Sequence, residues 1–200
     1  MLPRTFFQRD PVTCARELIG CDLVWKGCAG RIVETEAYAA LNDEACHTFS
    51  RPSAREFIAS HEPGQAYVYL NYGMYWLLNV LVKGGSEEGF VLFRALQPTE
   101  GVEVMSLRRH KVSSSRVATS LCSGPGKLTI ALGINAADHG ADFCAGEMIS
   151  FRERREAVAI EADARIGISR AADLQWRFLE KGSAFVSVRS AAAKRASRSP

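Results

Sequence analysis

No stretch of this 200-residue chain stays apolar for the about 20 residues that a bilayer span needs. The N-terminus, MLPRTFFQRD, has no continuous apolar segment of the kind a secretory leader carries. These two absences predict a cytosolic protein, in the cytoplasm or nucleoid of a bacterium, with no membrane partner. The six cysteines (Cys14, Cys21, Cys28, Cys46, Cys122 and Cys144) form no C-x-x-C pair. Neither they nor the four histidines fall at metal-ligand spacing, so the expectation is reduced, mostly buried thiols and no metal. There is no G-x-G-x-x-G, no H-E-x-x-H and no G-x-S-x-G. The usual signals of a dinucleotide cofactor, a zinc peptidase and a serine-hydrolase elbow are therefore missing, and no cofactor is expected. A large excess of one sign of charge is missing too, with 25 Lys and Arg against 22 Asp and Glu. A net charge of +3 permits a nucleic-acid partner without demanding one.

What is present is a globular composition, 47% hydrophobic and 24% charged, too apolar for a disordered chain. Asp10-Pro11 opens a helix, with Asp as cap and Pro at the first helical position. Val12, Ala15, Leu18 and Ile19 form its apolar face, and Gly20 ends it. Residues 22–26 and RIVETEAY (31–38) read as strands around a glycine-containing turn. Residues 39–64 read as a long irregular loop, a feature that in compact domains points to function. YVYLNYGMYWLLNV (67–80) reads as a hairpin turning at Asn71-Tyr72-Gly73. Asn and Gly tolerate positive φ there; the tyrosine between them does not. GFVLFRAL (89–96) is a buried strand holding one arginine. Thr99 is expected to cap a helix to about Lys111, broken by Ser113-Ser114-Ser115. A short helix starts at SGPGK (123–127) and ends at Gly133; later strands are expected at 148–151 and 185–188. No repeat or linker divides the chain, so one mixed α/β domain is predicted.

Four features carry chemistry. Alternation on a strand places Ile32, Glu34, Glu36 and Tyr38 on one face. Taken alone, that segment reads most simply as an edge strand turning a polar face to water. A site in which one carboxylate activates water is the alternative. Same-face Cα atoms are about 6.6–6.8 Å apart, so a sugar hydrolase using both carboxylates is a rival reading. Arg94, inside an apolar strand, needs a partner to be buried, and Glu36 on a neighbouring strand is the candidate. Tyr67 and Tyr69 share a face, with Tyr38 on another strand and His47 in the loop beyond it, a set suited to a cleft edge. SGPGK gathers backbone N–H groups and Lys127 at a helix start, as a phosphate would need, without being a P-loop.

RIVETEAY, DEACH, YVYLNYGMYWLLNV, VLFRALQP and CSGPGKL, in that order, resemble the alkyladenine (3-methyladenine) DNA glycosylase family, and ARIGI and GSAFVSV extend the likeness. The resemblance covers about Phe6 to Val188. It implies a single α+β catalytic domain (1–188) with a curved, mainly antiparallel sheet, flanking helices and a protruding DNA-intercalating hairpin; the residues beyond it (189–200), ending in AAAKRASRSP, read from their composition as a basic, disordered tail. The resemblance implies excision of alkylated or deaminated purines from double-stranded DNA by hydrolysis, without metal and without a lyase step; a non-catalytic nucleic-acid-binding module of the same fold is the alternative, and a monomer is expected because the fold needs an open DNA face. Matching positions make Glu36 the general base, with Arg94 and the backbone carbonyl of Ile166 placing its water. Tyr38, His47 and Tyr69 would hold the extruded base, and Asn79 would sit at its edge. Tyr72, with Met74 behind it, would fill the gap left in the duplex, and Arg109 and Lys127 would face phosphates. The exposed tip aromatic then has a reason: extruding a base costs roughly a few kcal/mol, and stacking on the inserted ring returns about 1–3 kcal/mol. One segment departs from the family pattern. Where a Thr-Pro-Arg-Asn type sequence is usual, this chain has Ser53-Ala54-Arg55-Glu56-Phe57-Ile58-Ala59, which predicts an altered substrate range.

Overall fold

The computed structural model describes residues 1–110 and 115–191, with backbone alone over 115–117. The expectations for Lys111, Ser113-Ser114 and residues 192–200 of the basic tail lie outside the described residues. Among the described residues, eight strands form one sheet: β1 (Asp22–Trp25), β2 (Cys28–Ala39), β3 (Ala66–Asn71), β4 (Tyr75–Val82), β5 (Gly89–Glu100), β6 (Ile149–Arg152), β7 (Ile160–Asp163) and β8 (Arg177–Glu180). Six α-helices accompany them among the described residues: α1 (Pro11–Leu18), α2 (His47–Ser50), α3 (Pro52–Ser60), α4 (Val102–Arg108), α5 (Ser115–Leu121) and α6 (Pro125–Leu132). The strand order is β3-β4-β5-β2-β1-β6, and every pairing is antiparallel. The result is an α+β domain whose sheet curls into a half-barrel.

Strand β2 is the hub. It pairs with β5 along its whole length on one side. On the other side it pairs first with β1, over 28–31, and then with β8, over 34–36. Its register against β5 slips on both sides of Glu34, the mark of a bulge, which re-aims side chains locally. The edge-strand reading of RIVETEAY is thus overturned: the strand is central, and Glu34 and Glu36 are fully buried.

Both faces of the sheet are covered, which explains why GFVLF is continuously apolar rather than alternating. Val80, Val82, Val91 and Phe93 join the main core with Leu18, Trp25, Ile32 and Phe151. On that face α1 packs close enough for the Thr35 hydroxyl to donate to the Ala15 carbonyl at 2.8 Å. The intervening residues Tyr67, Leu81 and Phe90 belong to a second cluster with Cys46, Ala54, Phe57 and Ile58. That second face carries the cleft described below. The helix starts follow local chemistry. The Asp10 side chain accepts from the Thr13 N–H at 2.8 Å ahead of Pro11, and Pro125 takes the first position of α6. The six cysteines are free; five are buried and Cys144 is half-buried.

Four expectations need correction. Residues 39–64 are not irregular throughout, because α2 and α3 lie within them. Their signal was Ala54, Phe57 and Ile58 at helical spacing, which face the second cluster. Thr99 caps nothing: β5 continues through it to Glu100, and Gly101, at φ 69°, caps α4. A side chain at Gly101 would strike Cys28 Sγ and the Gly27 carbonyl, both 2.8 Å away. Residues 185–188 are not a strand; the late strands are β7 and β8. In the hairpin, the residue that adopts positive φ beside Gly73 (69°) is Tyr72 itself, at 49°, not Asn71. Among the described residues, no helix is long and apolar enough to cross a membrane.

Candidate active site

Alternate positions of β2, β3, β4 and β5 point from the second face into one cleft of about 480 Å³. Tyr38, Tyr67, Tyr69, Asn79 and Arg94 line it, with His47 and Arg51 from the α2 segment and Ile166 from the loop after β7. The register shows how they meet: Tyr38 stands opposite Phe90, Tyr67 opposite Asn79, and Glu36 and Asn79 flank Leu92 from either side.

Glu36 lies just beneath the floor of this cleft. Three floor residues donate to it. The Tyr38 hydroxyl and Arg94 Nη1 reach Oε2 at 2.8 and 3.2 Å, and the Ile166 amide reaches Oε1 at 2.7 Å. The expected Glu36–Arg94 pair is therefore present. Ile166 is also brought to Glu36, but the contact the structure displays is through its N–H. Burial of Arg94 opposes its charge, and Glu36 and Glu34 more than offset this, raising its pKa. Burial and the nearby Glu36 carboxylate raise the Tyr38 pKa well above the ordinary phenol range, so that hydroxyl remains a donor.

Glu34 is fully committed elsewhere. It accepts from Arg94 Nε at 3.0 Å, Arg177 Nη1 at 3.1 Å, and the Ser187 amide and hydroxyl at 2.6 and 2.9 Å. Three of these four bonds fall on Oε1, and Arg94 is the one donor among them that lines the cleft. Tyr38, Arg94 and Ile166, which hold Glu36, all line it. This favours Glu36 over Glu34 as the carboxylate of the site and weighs against a hydrolase that uses both. The effect of Glu34 is to fix the angle at which Arg94 approaches Glu36. Glu34→Gln keeps the shape but leaves two buried guanidiniums sharing less negative charge. The expected cost is about 3 kcal/mol of unfolding free energy, read by urea denaturation.

The aromatic wall is tightly set. His47 meets the edge of Tyr69 at 4.3 Å between ring centres, and Tyr67 stacks on Phe90 at 4.5 Å. Burial, and then the nearby Arg51, push the His47 pKa down to about 4, so its ring is neutral at pH 7. The Asn79 side-chain amide donates to the Tyr67 carbonyl at 3.1 Å, which fixes its orientation at the cleft wall. Behind Tyr38 stands a residue that the sequence reading missed. Arg165 binds Asp43 through both terminal nitrogens, one contact being 2.7 Å. It also donates to the Ala37 carbonyl at 2.9 Å and lies 4.7 Å from the centre of the Tyr38 ring.

At the mouth, Tyr72 is 84% exposed and Met74 66% exposed, although both are large and apolar-bodied. Tyr72 shares the positive φ that a type I′ hairpin turn requires, a costly conformation for a bulky residue. The base of the hairpin is braced by α6, where a side chain at Gly126 would come within 2.9 Å of Tyr75 Cβ. Lys127 is exposed in the next position, 3.4 Å from the Ser123 hydroxyl. Arg109 is half-buried at the end of α4, close enough to Cys122 to oppose the effect of burial on that thiol. Among the described residues, no three of His, Cys, Asp and Glu cluster as a metal site would need.

Comparison with known proteins places this geometry. The model of the methylpurine-DNA glycosylase family matches residues 5–184. A protein of Rhodopseudomonas palustris strain HaA2, provisionally named a 3-methyladenine DNA glycosylase, is 46% identical over 187 residues, covering 94% of this chain and 90% of its own. A Rhizobium etli protein with the same provisional name is 44% identical over 186 residues (92% and 87%). One from Methanocella arvoryzae, again so named, is 42% identical over 196 residues (94% and 96%). With the match extending across the cleft, the hairpin and the Glu36 cluster alike, the chain belongs to the methylpurine-DNA glycosylase family and is a DNA glycosylase.

Proposed function

We propose that this glycosylase removes damaged purines, alkylated or deaminated, from double-stranded DNA by hydrolysing the N-glycosidic bond with a water activated by Glu36. The observation that carries the reading is the buried Glu36 carboxylate, gripped by Tyr38, Arg94 and Ile166 directly under an aromatic cleft. A base must leave the duplex stack to reach such a cleft. Tyr38, His47 and Tyr69 then hold its faces, Asn79 meets its edge, and Tyr72 with Met74 occupies the vacated step. Arg94 and the carbonyl of Ile166 hold the water against the anomeric carbon. Glu36 takes its proton as the bond to the purine breaks and positive charge builds on the sugar ring, which the same carboxylate stabilises. Among the described residues no lysine lines the cleft, which supports hydrolysis without an amine adduct and hence without strand cleavage. Arg109 and Lys127 contact phosphates beside the hairpin. The enzyme acts as a cytoplasmic monomer, its second face left open to the duplex.

The test is release of free hypoxanthine or N7-methylguanine from a duplex oligonucleotide, with the sugar–phosphate strand intact until alkali is added. Release with the strand uncut supports the reading; strand cleavage by the protein itself contradicts it. The hairpin supplies a second check. Tyr72→Gly relieves the left-handed strain, so its unfolding midpoint stays no lower than wild type. The lost stacking weakens binding to lesion-bearing duplex by about 1–3 kcal/mol, measured by fluorescence anisotropy.

A further inference from the structure

Arg51 stands in the wall of the cleft with its charge unmatched. It follows α2 and precedes Pro52, the first residue of α3. None of the ion pairs among the described residues includes it. Its guanidinium carbon lies 5.1 Å from the centre of the Tyr69 ring, one of the rings assigned above to the extruded base. Among the described residues, the one other charged side chain lining the cleft, Arg94, is matched by Glu34 and Glu36, and no carboxylate lines the cleft itself. The charge of Arg51 is felt inside: it acts on His47, Tyr67 and Tyr69. His47 is neutral at pH 7 and adds nothing to it.

We infer that Arg51 makes the cleft select against purines with a fixed positive charge, so that neutral damaged purines, of the hypoxanthine and ethenoadenine type, are its preferred substrates. The inference rests on the glycosidic reading above and names the substrate class of that same site. An N3- or N7-alkylated purine is a cation and would gain from lying on electron-rich rings. Here a guanidinium already interacts with Tyr69. A second cation brought beside it meets repulsion that water screens poorly inside a cleft. A neutral purine meets no such repulsion, and the planar guanidinium extends the stacking surface available to it. The placement also gives a physical route for the altered substrate range expected of the 53–59 segment. That segment forms most of α3, and Phe57 on α3 packs on Tyr67 and Phe90.

The test compares single-turnover release of N7-methylguanine and of hypoxanthine from duplexes with the same flanking sequence, for wild type, Arg51→Gln and Arg51→Lys. Removing the charge should raise the methylguanine-to-hypoxanthine rate ratio by about tenfold, whereas Lys, which keeps the charge, should hold the ratio near that of wild type. An Arg51→Gln variant that slows both reactions equally would make Arg51 a phosphate contact and overturn the inference alone. A fall in the ratio would overturn it as well. Failure of the wild type to release either base would overturn the glycosidic reading, and the inference with it.

Discussion

Asp43→Asn should lower the unfolding free energy by about 3–5 kcal/mol, the cost of leaving a buried guanidinium without its counter-ion. Both side chains of the Asp43–Arg165 pair are fully buried. Arg165 then keeps as acceptors a single neutral amide oxygen at position 43 and the Ala37 and Ala171 carbonyls, none of which carries charge. The damage would not stay local. Asp43 also accepts from the Ala39 and Ala45 amides, at 3.3 and 3.1 Å, and its own carbonyl accepts from the Cys46 amide just before His47. Arg165 precedes Ile166, which touches Glu36, and it lies over Tyr38. One ion pair thus joins the His47 segment, the Tyr38 strand and the Ile166 loop, three separate parts of the cleft wall. The variant should lose base-release activity by more than its reduced folded fraction explains. Adding Arg165→Met, which removes the orphaned charge, should recover part of the stability in urea denaturation, because a buried pair replaced as a whole costs far less than one broken in half. It should not recover the activity, since nothing then holds the three segments in register. Unchanged stability in Asp43→Asn would contradict the assignment of this pair as the clamp of the site.

How far the sequence made this site legible depends on how far apart in the chain the partners lie. Within RIVETEAY, strand alternation sufficed to put Glu36 and Tyr38 on one face, and the expense of burying Arg94 pointed to Glu36 as its partner. Both readings rest on local periodicity and a single charge rule. The role of Glu34 was not legible. Two of its three partners, Arg177 and Ser187, come from segments about 150 positions away, as the separations of 143 and 153 show. Residues 185–188, expected as a strand, instead carry Ser187 onto Glu34. The Asp43–Arg165 pair spans 122 positions, and each residue alone looks like an ordinary loop charge. The helices α2 and α3 were hidden by polar composition, although the spacing of Ala54, Phe57 and Ile58 was there to be read. Arg51 was visible only as one loop residue among several. Its meaning depends on Tyr69, which the fold brings beneath it.

The central claim is that a water activated by Glu36 performs the chemistry, with the rest of the cleft serving to hold the base. Glu36→Gln tests it most directly. Gln is close in shape, and its carbonyl oxygen can still accept a bond from Arg94 or from the Ile166 amide, but it cannot take a proton from water. Loss of a positioned general base removes about 10²–10⁴-fold of rate. Glu36 is fully buried and reaches the cleft through its three donors, so affinity for lesion-bearing duplex should change little. The measurement is single-turnover release of hypoxanthine from a duplex, run beside binding of the same duplex for wild type and Glu36→Gln. A rate lowered by at least about 10²-fold with binding retained is the result this account predicts. Release by the variant at a rate close to that of wild type would contradict it.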